Sequence, residues 1–98
     1  MRCRPALRDG RSILQTVRNA IAVEFLSVKF LLNRIAEAPE AIDIAELDDA
    51  ITWILARQKQ YPGFAGAARQ MEKLRRHLLA GQLRQARTRA RLAIDFLG

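Results

Sequence analysis

"AIAVEFLSVKFLL", residues Ala20–Leu32, decides the fold by how it is read. It follows a basic stretch and precedes Ala36-Glu37-Ala38, an order that imitates a secretory signal with its cleavage site. Glu24 and Lys29 interrupt the apolar run, however, and nineteen residues stand before it, too many for a charged leader. Thirteen residues also fall short of the roughly 20 that a helix needs to span a bilayer. The run is therefore expected to belong to a soluble helix.

Working outward, Leu14, Val17, Ile21, Phe25, Val28, Leu32 and Ile35 keep the three-and-four spacing that lines one side of an α-helix. The spacing predicts a helix over about 11–37, ended by Pro39, with a short basic tail over 1–10. Asp43 and Glu46 form a D-x-x-E capping pattern, with Ile42 and Leu47 placed as a hydrophobic staple. They open a second helix over about 44–60, whose core stripe is Leu47, Ile51, Ile54 and Tyr61 and which Pro62-Gly63 stops. Its early acids (Glu46, Asp48, Asp49) and late bases (Arg57, Lys59) complement the helix dipole. A third helix over about 64–80 presents Phe64, Ala67, Ala68, Met71, Leu74 and Leu78, and Gly81 is placed to terminate it. A fourth over about 82–97 repeats the spacing with Leu83, Ala86, Ala90, Ile94 and Leu97. No stretch alternates with period two, so no strand is predicted. The expected fold is all-α, a small antiparallel bundle of four helices forming one domain over 1–98.

Composition narrows the function classes. Ninety-eight residues, half of them hydrophobic, suit one modest core. The lone cysteine, Cys3, has no partner for a disulfide within the chain, and a reducing, cytoplasmic setting is the simpler expectation. The formal charge of +7 is unevenly spread. Residues 1–34 hold seven bases and two acids, residues 35–56 six acids and no base, and residues 57–91 ten bases against Glu72. Such a chain attracts polyanions, or pairs its acidic block with a basic one, internally or on a second copy. Arginine over lysine, with sixteen alanines, looks like the codon usage of a GC-rich genome, which weakens arginine identity as a sign of phosphate recognition.

Helical wheels add two kinds of surface. Val23, Leu26 and Phe30 fall opposite the main stripe of the first helix, Trp53 lies off the stripe of the second, and Leu92 and Phe96 leave that of the fourth. These six large apolar side chains have no obvious home in a monomer core, and covering each would contribute on the order of 1.5–3 kcal/mol. Arg69, Lys73 and Arg76 form a ridge on the third helix, and Arg84, Arg87 and Arg91 another on the fourth. Laid side by side across Gly81, the two ridges would make one cationic face, with a log-log salt slope of about −5 for six phosphate contacts. No aromatic residue is interleaved there for base stacking. A helix-turn-helix across residues 57–70 is disfavoured, since its second helix is long and its Tyr61-Pro62-Gly63 turn lacks the small-residue spacing of that motif.

Two short resemblances bear on the last hairpin. In "GQLRQARTRARLAI", Gly81–Ile94, the residues Gly81, Leu83, Ala86, Ala93 and Ile94 resemble the hairpin half of a tetratricopeptide repeat over these fourteen positions. Arg87 and Arg89 stand where that repeat has large apolar groups, and no second copy recurs at its period, so the likeness implies a close turn at Gly81 and no function. "HLLAG", His77–Gly81, resembles the phosphorylated H-x-L-K-G of histidine phosphotransfer domains, with Ala80 in place of the lysine; His77 is read here as a surface histidine.

One His, one Cys and two Ser, with no Gly-rich loop and no ligand spacing, point to no catalytic residue, no metal and no cofactor. Asp48 and Asp49 are adjacent and project about 100° apart on a helix. The expected function is a small non-enzymatic adaptor, regulator or inhibitor that binds another protein and itself, as a homodimer, with no membrane or small-molecule substrate. Val23, Leu26, Phe30, Trp53, Leu92 and Phe96 are its expected contacts. The alternative is a nucleic-acid-binding regulator contacting phosphates through the two arginine ridges.

Overall fold

The computed structural model describes residues 22–98. The predicted tail, the predicted helix start at residue 11, Cys3, Leu14, Val17 and Ile21 lie outside that range. The described residues form four α-helices and no strand. Helix α1 covers 22–37, α2 Ile44–Ala56, α3 Phe64–Leu79 and α4 Leu83–Leu97.

Local chemistry explains where each helix stops. The Ala38 N–H donates to the Arg34 carbonyl at 2.7 Å, closing α1, and buried Pro39 opens a single 3-10 turn, Pro39–Ala41. Asp43 caps α2, its Oδ1 accepting from the Ala45 N–H at 3.0 Å. Glu46 does not complete the reciprocal box: its Oε2 accepts from the Arg34 guanidinium of α1 at 2.7 Å, because a charged donor outbids a backbone amide. Helix α2 also ends four residues earlier than its pattern suggested. The Arg57 N–H donates to the Ile54 carbonyl at 3.1 Å, and its guanidinium to the Trp53 carbonyl at 3.1 Å. Past that point Arg57-Gln58-Lys59-Gln60 offers no apolar side chain to hold another turn against the core, so residues 57–60 continue as turns. Tyr61 consequently leaves the core stripe and is exposed.

The turn between α3 and α4 is a Schellman motif. The Gln82 N–H donates to the His77 carbonyl at 2.8 Å and the Gly81 N–H to the Leu78 carbonyl at 3.2 Å. Gly81 has φ +74°, which a side chain would penalise, so Gly81→Ala should cost about 1–2 kcal/mol in chemical unfolding. An unchanged midpoint would show that the turn relaxes freely.

Pairs of contacts at both ends of each helix fix the topology. Trp53 meets Phe64 and Asp48 meets Arg75, so α2 and α3 are antiparallel. Gln70 bonds Arg89 at 2.9 Å while the Phe96 ring lies over Gly66, so α3 and α4 are antiparallel too. Lys29 Nζ reaches the Gly98 carbonyl at 3.4 Å and Arg87 the Glu37 carbonyl at 3.5 Å, closing the ring from α4 back to α1. The result is an up-down-up-down four-helix bundle.

Its core is aliphatic. Val28, Leu31, Leu32, Ile35 and Ala36 from α1 meet Leu47, Ala50, Ile51 and Ile54 from α2, Phe64, Ala68, Met71 and Leu74 from α3, and Ala86, Ala90 and Ala93 from α4. No charged or polar side chain among the described residues is buried. Helix α4 is rotated from its expected stripe: Ala93 joins Ala86 and Ala90 at its centre, Leu83 is exposed, and Ile94 and Leu97 are only partly covered. Alanine lets helix backbones approach closely, so the smallest side chains, not the largest, face the crowded centre.

Candidate interaction surfaces

The outer side of α1 carries Val23, Leu26 and Phe30 at 62%, 61% and 65% exposure. Their i, i+3, i+7 spacing sets them in one row, because α1 already uses its other side for the core. With Ser27, Lys29 and Asn33 they border a shallow depression of 550 Å³. The Arg34 guanidinium lies 5.7 Å from the Phe30 ring centre, so the row ends beside a cation.

The other three expected contacts separate from this row. Trp53 has a home in the monomer, contrary to expectation: it is half-buried, packs on the core at 5.9 Å from the Phe64 ring, and is covered on one side by the Arg57 guanidinium at 4.3 Å. Its position off the α2 stripe faces the gap between α1 and α2, a groove also lined by Glu24, Val28 and Asp49. Phe96 is 48% exposed and rests its ring on Gly66. Leu92 is exposed on α4.

Trp53 and Phe96 instead contribute to a feature that the wheels missed. At one end of the bundle an open cleft of 440 Å³ is lined by Ala22, Phe25, Trp53, Tyr61, Phe64 and Phe96, with Pro62, Gly63 and Leu97. Phe64 is its hub: the Phe25 ring stacks at 5.9 Å and the Tyr61 ring at 4.9 Å. Five of the six aromatic residues of the chain meet here. The signal was present in the positions of these residues along the helices. Phe25 stands near the start of the described α1, Trp53 near the end of α2, Tyr61 and Phe64 at the start of α3, and Phe96 at the end of α4. Up-down-up-down order brings those four places to one end.

Of the basic ridge residues, Arg69, Arg76, Arg84, Arg87 and Arg91 are exposed and Lys73 is half-buried; Arg87 also donates to the carbonyl of Glu37 at 3.5 Å, where the helix C-terminus favours a cation. Two further arginines are occupied: Arg75 grips both carboxylate oxygens of Asp48 at 2.5 and 3.4 Å, and Arg89 donates to Gln70. His77 is half-buried, with Nδ1 2.7 Å from Gln82 Oε1, and so ties together the two residues that the Schellman turn brings near. That contact gives "HLLAG" a structural role.

Among the described residues no three His, Cys, Asp or Glu side chains converge as metal ligands, and no helix is long and apolar enough to cross a membrane. Comparison of the chain with family models, with curated proteins and with solved structures gives no match.

Proposed function

We propose that this protein is a non-enzymatic helical adaptor or regulator, working as a homodimer, that docks another polypeptide on the outer side of α1. The observation that carries the reading is the row Val23, Leu26 and Phe30, three large apolar side chains each more than 60% exposed on a helix whose opposite side buries Val28, Leu32 and Ile35 in the core. The i, i+3, i+7 row has the form in which an amphipathic partner helix is read. Covering the three would contribute on the order of 1.5–3 kcal/mol each. Lys29 and Arg34 stand beside the row, and the net charge of +7 favours a partner with an acidic rim, chiefly by raising the association rate.

Leu26→Glu combined with Phe30→Glu should weaken partner capture by more than about a hundredfold, while far-ultraviolet circular dichroism is unchanged because both side chains project into solvent. A photoreactive group at position 30 should crosslink the same partner, and one at Leu92 should not. Capture that persists in the double variant would sink this reading. Capture lost on nuclease treatment would replace it with a polyanion-binding one, for which Arg84→Glu with Arg91→Glu should abolish low-salt retention on DNA.

A further inference from the structure

We infer that the partner docked on the outer side of α1 is an amphipathic helix whose apolar stripe runs on into carboxylates, and that Arg84, Arg87 and Arg91 of α4 receive those carboxylates. The inference rests on the reading of Val23, Leu26 and Phe30 as a docking row and adds the chemistry and the polarity of what docks there.

Two contacts set α4 beside α1. Arg87 donates to the Glu37 carbonyl at 3.5 Å and the Lys29 ammonium to the Gly98 carbonyl at 3.4 Å, so α4 passes antiparallel along α1, its start beside the end of α1. Arg84, Arg87 and Arg91 are spaced i, i+3, i+7 and share one exposed stripe of α4, and the Arg87 contact puts that stripe on the side next to α1. Arg91 follows Arg87 by four residues, which carries it about 6 Å back toward the level of Phe30. The row on α1 meanwhile continues past Phe30 through Asn33 to Glu37, both exposed. An occupant that covers Val23, Leu26 and Phe30 and extends in that direction leaves apolar surface and arrives beside three guanidinium groups and one carboxylate.

The sign of the charge changes along this seam. Among the described residues Arg84 and Arg91 pair with no carboxylate; the ion pairs there join Arg34 to Glu46 and Arg75 to Asp48. At the opposite end the exposed charges are Glu24 on α1 and Asp95 on α4, one turn beyond Arg91. A partner with its acids toward Glu37 is thus favoured over one with its acids toward Val23. Other occupants fit less well. The chain's own residues 1–21 hold five arginines against Asp9, the wrong sign for the cationic end. A second copy carries most of its acids on and just before α2, which exposes only Leu55 among its large apolar side chains and so offers no stripe to lay on the row. A nucleic acid would meet the arginines through its phosphates and leave Val23, Leu26 and Phe30 uncovered.

Three synthetic helical peptides test this against the full-length chain by fluorescence anisotropy. They share an apolar half with Leu at i, i+3 and i+7 and differ in the three residues that continue its stripe, which are Glu, Gln or Lys. At low salt the Glu peptide should bind about tenfold tighter than the Gln peptide, as three exposed ion pairs allow, and the difference should fall below about threefold at about 0.5 M salt. Arg84→Glu with Arg91→Glu should reverse the order, so that the Lys peptide binds best. A spin label at the acidic end of the Glu peptide should broaden the amide signals of Arg84 to Arg91 more than those of Ala22 to Phe25. Equal affinities for the Glu and Gln peptides, or broadening centred on Ala22, overturn the inference and leave the docking row standing. Leu26→Glu with Phe30→Glu should weaken the Glu peptide by more than about tenfold; binding that survives this double variant removes the row and the inference together, as does a Glu peptide that fails to bind at all. A short DNA duplex that displaces the Glu peptide, with an affinity indifferent to Leu26→Glu and Phe30→Glu, makes the stripe a phosphate surface and overturns the inference. So does a photoreactive group at position 30 that, without peptide, attaches to residues 1–21 or to a second copy, because the row is then already covered.

Discussion

Leu32→Ala is expected to destabilise the protein by about 2–5 kcal/mol, the range for emptying a sealed aliphatic site. Leu32 has no accessible surface and sits at the middle of the inner side of α1, between Val28 and Ile35. Its surroundings limit collapse into the hole. The fourth wall of the core is Ala86, Ala90 and Ala93, whose methyl groups have no reach, and Met71 is the only long unbranched side chain able to swing inward. A domain of this size holds only about 5–15 kcal/mol, and 1 kcal/mol corresponds to about 4–8 °C at 60–100 residues. Thermal unfolding should therefore begin more than about 8 °C lower. A loss under about 1 kcal/mol would mean that position 32 is not enclosed on all four sides.

Gly63→Ala should cost about 2–3 kcal/mol, and clearly more than Gly66→Ala, although both glycines lie beside Phe96. Neither position has a left-handed backbone; the constraint is space. A Cβ on Gly63 would fall inside the carbonyl group of Phe96, which is main chain in the last turn of α4 and cannot turn aside. The beginning of α3 and the end of α4 would have to separate, at the cost typical of an overfilled contact. A Cβ on Gly66 meets the ring of Phe96 instead, and that ring is half exposed and free to rotate outward. Chemical unfolding of the two variants settles the order. If Gly66→Ala proves the more damaging, the Phe96 ring is wedged in place and not resting on an open rim.

Most of the architecture was legible because helix burial writes itself as spacing. The inner side of α1, the α3 stripe, the Asp43 cap and the Gly81 terminus all follow from side-chain periodicity or from local backbone demands. What was not legible depended on neighbours. Glu46 abandoned the capping box because Arg34 of another helix came within reach, and the contact of exposed Arg87 with the Glu37 carbonyl depends on the end of α1 lying opposite. The α4 stripe was misjudged by weighting residue size: Leu83 and Ile94 looked like better core residues than Ala93, yet the approach of the helices favoured methyl groups. The row Val23, Leu26 and Phe30 was readable from the wheel alone, since it needs only one helix. The aromatic cleft was not, because its walls come from all four.

The alanine seam of α4 separates two properties that other bundles entangle. Ala86, Ala90 and Ala93 have no accessible surface and hold the inner side of the helix against the core. Arg84, Arg91 and Leu92 stand exposed on the outer surface. Electrical character and shape are thereby written in different letters of the same helix, and descendants of this sequence are free to exchange their cations for other groups while inheriting the same scaffold.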